Sequence, residues 1–204
     1  YSKYKLHQDL FNLRNFYYNH GYLQFRILSK KVIVTDDHKN VYIWVTVHEG
    51  PKFHVSSFKL VGRGASDPHV QGLVTVKAGQ VFSRKQVMDM NNTIARFYAD
   101  HGFAFPKIKA IPNLNTASHT VAIKLLVDPG KRVYVRKIII AGNRRTKDSV
   151  LRNQIRQYEG SVYALDKIDE SKRRLANLPY LRNITIQTMP VPGIPNLVDL
   201  YVHA

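Results

Sequence analysis

The sequence predicts an α+β fold of tandem β-α-α-β-β modules, each a three-stranded mixed sheet with two helices on one face. Three observations carry that expectation. The chain repeats itself at intervals of about eighty residues. Within each copy the apolar period switches between strand-like and helix-like spacing. Glycine-proline pairs, Gly50-Pro51 and Pro129-Gly130, stand where copies meet.

The repeat decides the architecture. Val41-Tyr-Ile-Trp-Val-Thr-Val-His-Glu-Gly50 returns as Val121-Ala-Ile-Lys-Leu-Leu-Val-Asp-Pro-Gly130. Phe53, Val55, Phe58, Leu60 and Gly62 return as Val133, Val135, Ile138, Ile140 and Gly142. Phe16-Tyr-Tyr-Asn-His-Gly-Tyr22 returns as Phe97-Tyr-Ala-Asp-His-Gly-Phe103, and a shorter third copy reads Leu175-Ala-Asn-Leu-Pro-Tyr-Leu181. Helical-hairpin and leucine-rich repeats run at about 20–47 residues, so each copy here must be a small domain with its own core. The expected domains are residues 1–50, 51–130 and 131–204.

The first copy starts on a long helix whose stripe is Leu6, Leu10, Leu13 and Tyr17. A hairpin over residues 25–34 and 41–47 follows, turning through Asp36-Asp37-His38-Lys39-Asn40. Lys30-Lys31 interrupts its first strand, which suggests a bulge there and a charge that discourages self-pairing. The middle copy opens with a strand through Phe53, Val55, Phe58 and Leu60, with a slip between Val55 and Phe58. A short helix is expected over 68–76, with Asp67 as cap and Pro68 at its first position. The next helix is capped by Ser83, buries Val87, Met90, Ile94 and Phe97, and closes at His101-Gly102. Strands over 104–111 and 121–127 complete the copy around a turn at 113–119. The third copy is expected as a strand over 133–140, helices over 147–158 and 166–177, and a hairpin of 184–189 with 197–202.

Charge and composition bound the function. Cysteine is absent, which excludes disulfides, thiolate zinc sites and cysteine nucleophiles. No apolar run approaches the roughly 18 residues of a membrane-spanning helix. The 31 Lys+Arg against 14 Asp+Glu give a formal charge of +17, suited to nucleic acid, anionic lipid headgroups or acidic proteins. Basic residues outnumber acidic ones 7 to 4 over 1–50, 10 to 4 over 51–130 and 14 to 6 over 131–204, so the excess grows along the chain. Paired acids Asp36-Asp37 and Asp169-Glu170 read as turn and helix-surface residues. Gly62-Arg63-Gly64 fails the dinucleotide pattern because Asp67 stands at the third glycine. The nine histidines show no helical pair with a nearby acid. No catalytic residue, cofactor or metal is expected, and the chain reads as a binding protein rather than an enzyme.

Tyr134-Val-Arg-Lys-Ile138, Gly142-Asn143, Val150-Leu-Arg152 and Arg156-Gln-Tyr-Glu-Gly160 resemble the last polypeptide-transport-associated (POTRA) domain of the outer-membrane β-barrel assembly family. Tyr98-Ala-Asp-His-Gly-Phe-Ala-Phe-Pro106 resembles the penultimate one. On this resemblance the three copies are a partial third, a fourth and a fifth POTRA domain. Pro179 departs from it, standing where the other copies have Gly21 and Gly102, and suggests a shortened helix end. The resemblance implies a periplasmic scaffold of Gram-negative bacteria that receives unfolded outer-membrane proteins, docks a BamD-like accessory lipoprotein, and continues in its family into a C-terminal membrane β-barrel of the same polypeptide.

In such domains the strand after the long helix lies at a sheet edge, able to accept a client by β-augmentation. Here the expected edge residues are Phe25, Ile27, Val32 and Val34. The resemblance also implies lipoprotein docking at Arg152 and Glu159. Arg144, Arg145 and Lys147, with Lys172, Arg173 and Arg174, suggest a patch for anionic headgroups. Two other readings stay open: the POTRA region of a two-partner secretion transporter, and a basic nucleic-acid-binding repeat protein. Nucleic acid is not the expected partner, because no outward aromatic set with an RNP word is visible.

Overall fold

The computed structural model describes residues 2–142, 146–179, 181 and 183–203. Its elements run α1 (Lys3–Asn19), β1 (Arg26–Val34), β2 (Val41–His48), β3 (His54–Val61), α2 (Pro68–Gly72), α3 (Arg84–Asp100), β4 (Lys107–Asn115), β5 (Thr120–Asp128), β6 (Tyr134–Ala141), α4 (Asp148–Arg152), α5 (Leu165–Ala176), β7 (Thr185–Pro190) and β8 (Leu197–His203). They form one two-stranded sheet, β1-β2, and two three-stranded sheets ordered β3-β5-β4 and β6-β8-β7. Two compact units result: residues 1–61, 73–91 and 110–125, and residues 62–72, 92–109 and 126–204.

In the first unit, Ser2 caps α1 by accepting the Lys5 N–H at 3.3 Å. Of the expected stripe only Leu6 is buried. Leu10, Leu13 and Tyr17 are half-covered. β1 and β2 pair antiparallel with a register shift between Ile27 and Ser29. The bulge therefore sits at Leu28 and not at Lys30-Lys31, which pair in register with Val45 and Trp44. The turn is built as expected: Asp37 accepts from the Thr35 hydroxyl and from the Lys39 N–H. Val121, Ile123 and Leu125 of β5 are buried at alternate positions, with Phe53 and Val55 near the start of β3. β4 begins at Lys107 rather than 104, since Pro106 supplies no ladder donor and restricts Phe105 before it.

The second unit holds the best-defined core. β8 is central, parallel to β6 and antiparallel to β7. Its Val198, Leu200 and Val202 share one face and pack in one cluster with Leu151 of α4, Ile168 and Leu175 of α5, and Val135 and Ile138 of β6. The helices thus cover one sheet face. Asp199 points the other way. It is 5% exposed and takes a two-pronged pair from Arg136, at 2.9 and 2.5 Å. That contact holds the Asp199 carboxyl below the usual carboxylate range. α4 stops at Arg152 instead of running to 158. The chain beyond it is fixed differently: the buried Gln157 amide bonds Ser161 and the Val162 carbonyl and accepts the Ala164 N–H. α2 is likewise short, ending at Gly72 before the β-branched Val74-Thr75-Val76.

Candidate functional site

A sheet edge can bind polypeptide only where its N–H and C=O groups are unclaimed. The starts of the opening strands fail that test. In the middle repeat Val55 N–H donates to Gln80 O (2.8 Å), Gly79 N–H to Val55 O (2.7 Å) and Phe82 N–H to Phe53 O (3.0 Å). In the last repeat Val135, Gly160 and Tyr163 reproduce the pattern with Ser161, Val135 and Val133. The strap before each long helix therefore closes the rim at the start of β3 and of β6.

Glu159 and Arg152 extend that closure. Glu159 Oε1 accepts the Ile138 N–H at 2.7 Å, and Arg152 Nη2 donates to Ile138 O at 3.1 Å. The two side chains also approach each other at 3.7 Å, and Arg152 Nε bonds Asp148 at 2.7 Å. Both remain about half exposed. The expectation for these two residues is lipoprotein docking, and their hold on Ile138 is an additional finding; the middle repeat carries Gln71 and Ala78 in their places.

The hairpin strands β1, β4 and β7 also each stand at the end of a sheet. β1 has nine residues and no proline. β4 contains Pro112, and β7 has six residues ending in Pro190. Proline removes a donor from a rim. Along β1 the outward donors can be read from register. Thr35 N–H donates to Asn40 O, so that pair faces inward. Antiparallel pairs alternate, which turns the N–H groups of Val34, Val32 and Lys30 outward. Of the four expected edge residues, Val32 and Val34 thus present outward donors. Ile27 lies beyond the bulge, where the alternation is reset. Phe25 precedes β1, is 2% exposed and stacks on Tyr17 at 4.0 Å.

Beside the start of β1 lies a groove of about 440 Å³ between that strand and α1, bordered by His7, Leu10, Phe11 and Arg14 and by residues 27–30. A related groove of about 480 Å³ runs along α3 and β4, bordered by Val87, Met88, Ala110 and Pro112. Its cation, Arg84, already lies over the Tyr18 ring at 5.7 Å.

The repeated aromatic-Asx-His-Gly word is a joint, which its sequence did not reveal. His20 and His101 each donate from Nδ1 to the carbonyl four residues back, at 2.7 Å. Asn19 accepts the Lys85 N–H at 2.8 Å and Asp100 the Asp166 N–H at 2.9 Å, so each caps the long helix of the next repeat. Gly21 and Gly102 then accept from Phe53 and Val133, at 2.9 and 2.8 Å. Both glycines have φ near +100°, and a Cβ on either would meet neighbours within 2.8 Å. The recurrence of Asn or Asp at one place in the word was the available signal. At the second joint Arg96 adds an ion pair with Asp169 at 2.6 Å.

Of the expected basic patch, Arg144 and Arg145 lie outside the described residues. Lys147 is exposed just before α4, and Lys172 and Arg173 are exposed on α5. Arg174 is partly covered and faces Glu170 at 3.9 Å. Among the described residues no helix is long and apolar enough to cross a membrane.

The POTRA family model, described as surface antigen variable number repeat, matches residues 1–50, 53–130 and 133–203. The chain is 33% identical over 202 residues to the outer membrane protein assembly factor BamA of Neisseria meningitidis serogroup B, covering 98% of the chain and 25% of that protein. It is 31% identical over 189 residues to the protein of the same name from Buchnera aphidicola, covering 91% of the chain and 30% of that protein. The chain thus spans about a quarter to a third of these curated relatives. The crystal structure of Haemophilus influenzae BamA POTRA3-5 matches with a TM-score of 0.88 at 27% identity, over 98% of this chain and 79% of that one.

Proposed function

The chain belongs to the POTRA family, and from that premise we propose that it is a periplasmic scaffold of the outer-membrane protein assembly machinery that receives unfolded clients along the β1 rim. The observation that carries this reading is the pattern of closed and open rims. The opening strands are covered at their starts by their own straps, while β1 offers a long, proline-free row of outward donors. Main-chain pairing is indifferent to most side chains, which suits a receiver of many different polypeptides. Lys30 and Lys31 on the same strand oppose pairing between two copies.

β2 also has one neighbour, and it exposes Tyr42 and Trp44, stacked at 5.7 Å. Its counterparts β5 and β8 are central strands with both rims taken. The rim that is open in every repeat is the hairpin strand's, and this favours β1.

In the same reading residues 1–50, 51–130 and 131–204 are successive modules joined by the trans-capping word. The half-exposed Arg152 and Glu159 form a ledge for a BamD-like lipoprotein, and Lys147, Lys172 and Arg173 attract anionic headgroups near a membrane barrel of the same polypeptide. The test of the client site is capture of a labelled, unfolded barrel-strand peptide by Val32→Pro, which deletes one outward donor of β1. Capture should fall about tenfold or more, the worth of roughly 1.4 kcal/mol, with an unchanged circular dichroism spectrum. Ile43→Pro, the same change on β2, should leave capture near normal. Equal loss in both variants, or none in Val32→Pro, refutes the assignment.

A further inference from the structure

We propose that the groove beside β1 selects, among extended polypeptides, those carrying an apolar and an acidic side chain two residues apart. This rests on the reading that β1 receives polypeptide by rim pairing and adds the chemistry of what is preferred there.

The groove is bordered by four consecutive residues of β1, 27–30. Side chains of a regular strand alternate between faces, so four neighbours line one groove only where the strand shows its rim or is kinked. The bulge at Leu28 supplies the kink. It leaves Leu28 63% exposed, facing a helix whose Phe11 is 57% exposed. With Leu10 and Ile27 these residues make an apolar floor that nothing among the described residues covers. The volume of about 440 Å³ lies in the range of ordinary ligand pockets.

The charge around that floor has one sign. His7, Arg14 and Lys30 border it, and no carboxylate does. Asp9, the acidic residue of α1, is absent from the lining. Among the described residues neither Arg14 nor Lys30 is held in an ion pair. The groove on β4 differs, since its Arg84 is spent on the Tyr18 ring.

Spacing follows from strand geometry. A strand laid on the β1 rim places side chains two residues apart on one face, about 6.6 Å from each other. The helix from His7 to Arg14 rises about 10 Å. One apolar side chain against Phe11 and Leu28, with a carboxylate towards Arg14 or Lys30, fits that length. Apolar and acidic residues placed next to each other would point to opposite faces.

The experiment uses the 204-residue chain and four fluorescent peptides of equal length: Phe-x-Glu, its isomer with Phe and Glu adjacent, Phe-x-Gln and Phe-x-Lys. Anisotropy should show Phe-x-Glu binding about five- to tenfold more tightly than the isomer or Phe-x-Gln, and Phe-x-Lys most weakly. The gap should shrink with added salt. The double substitution Arg14→Gln with Lys30→Gln should bring Phe-x-Glu binding down to the level of Phe-x-Gln on the same variant. Equal binding of the isomers, or a preference that survives the double substitution, overturns the proposal. Val32→Pro separates the two levels. If it weakens all four peptides while the isomers bind alike, the groove proposal alone fails; if it weakens none, the rim reading fails.

Discussion

β1 runs nine residues without a proline, whereas β4, in the same place of the next repeat, follows Pro106 and carries Pro112 within its span. Both are terminal strands of their sheets, both follow the long helix, and both have a groove alongside. The helix preceding each ends in the same histidine cap and the same glycine turn. The repeat therefore builds one backbone arrangement twice and leaves the rim residues to differ. On the proposed reading, the continuous rim flanked by cations is the one that receives, and the rim interrupted by Pro112 is not.

The largest expected effect separates the two sides of β1. Ile33 pairs inward with Tyr42, so Ile33→Pro deletes a ladder hydrogen bond and should cost about 1–3 kcal/mol. Melting followed at Trp44 should lose its cooperative transition. Val32→Pro, one residue away, should keep that transition while losing capture. If the two variants behave alike, the inward-outward assignment along β1 is wrong.

A smaller effect is expected in the opposite direction. Pro112→Val returns a donor to β4 and should raise cross-linking of client peptide to that strand a few-fold, to no more than the β1 level. No gain would mean that side chains, not the missing donor, set the contrast between the two rims.

The smallest effect on capture belongs to the last repeat. Arg136 holds the Asp199 carboxyl below its ordinary value near 4. The stabilisation is thus present above that pH and is lost as pH falls through the depressed value. Asp199→Asn should lower thermal stability at neutral pH, and the gap to the unsubstituted chain should narrow below about pH 4. Capture at pH 7 should not change. Loss of capture there would show that the β1 rim does not act by itself.

Much of this was legible in the sequence because it is local. Alternating Val121, Ile123 and Leu125, the Ser83 cap and the glycine after His101 are each written within a few residues of where they act. The unreadable parts depend on a partner elsewhere in the chain. A bulge is defined against the opposite strand, so Lys30-Lys31 attracted the prediction and Leu28 held the bulge. Phe25 reads as strand by type, yet Tyr17 takes it into the core. Asn19 and Asp100 look like helix-end residues until the next repeat's Lys85 and Asp166 come within reach. Arg152 and Glu159 were legible as a pair, but their grip on both polar groups of Ile138 was not.

Amide hydrogen exchange along the first hairpin, measured with and without a saturating client peptide, tests the central claim most directly. Pairing at the β1 rim predicts new protection at Lys30, Val32 and Val34, with little change at Ser29, Lys31 and Ile33, already bonded to β2. Protection at Val41, Ile43 and Val45 of β2 instead, or no alternation on β1 at saturation, would contradict it.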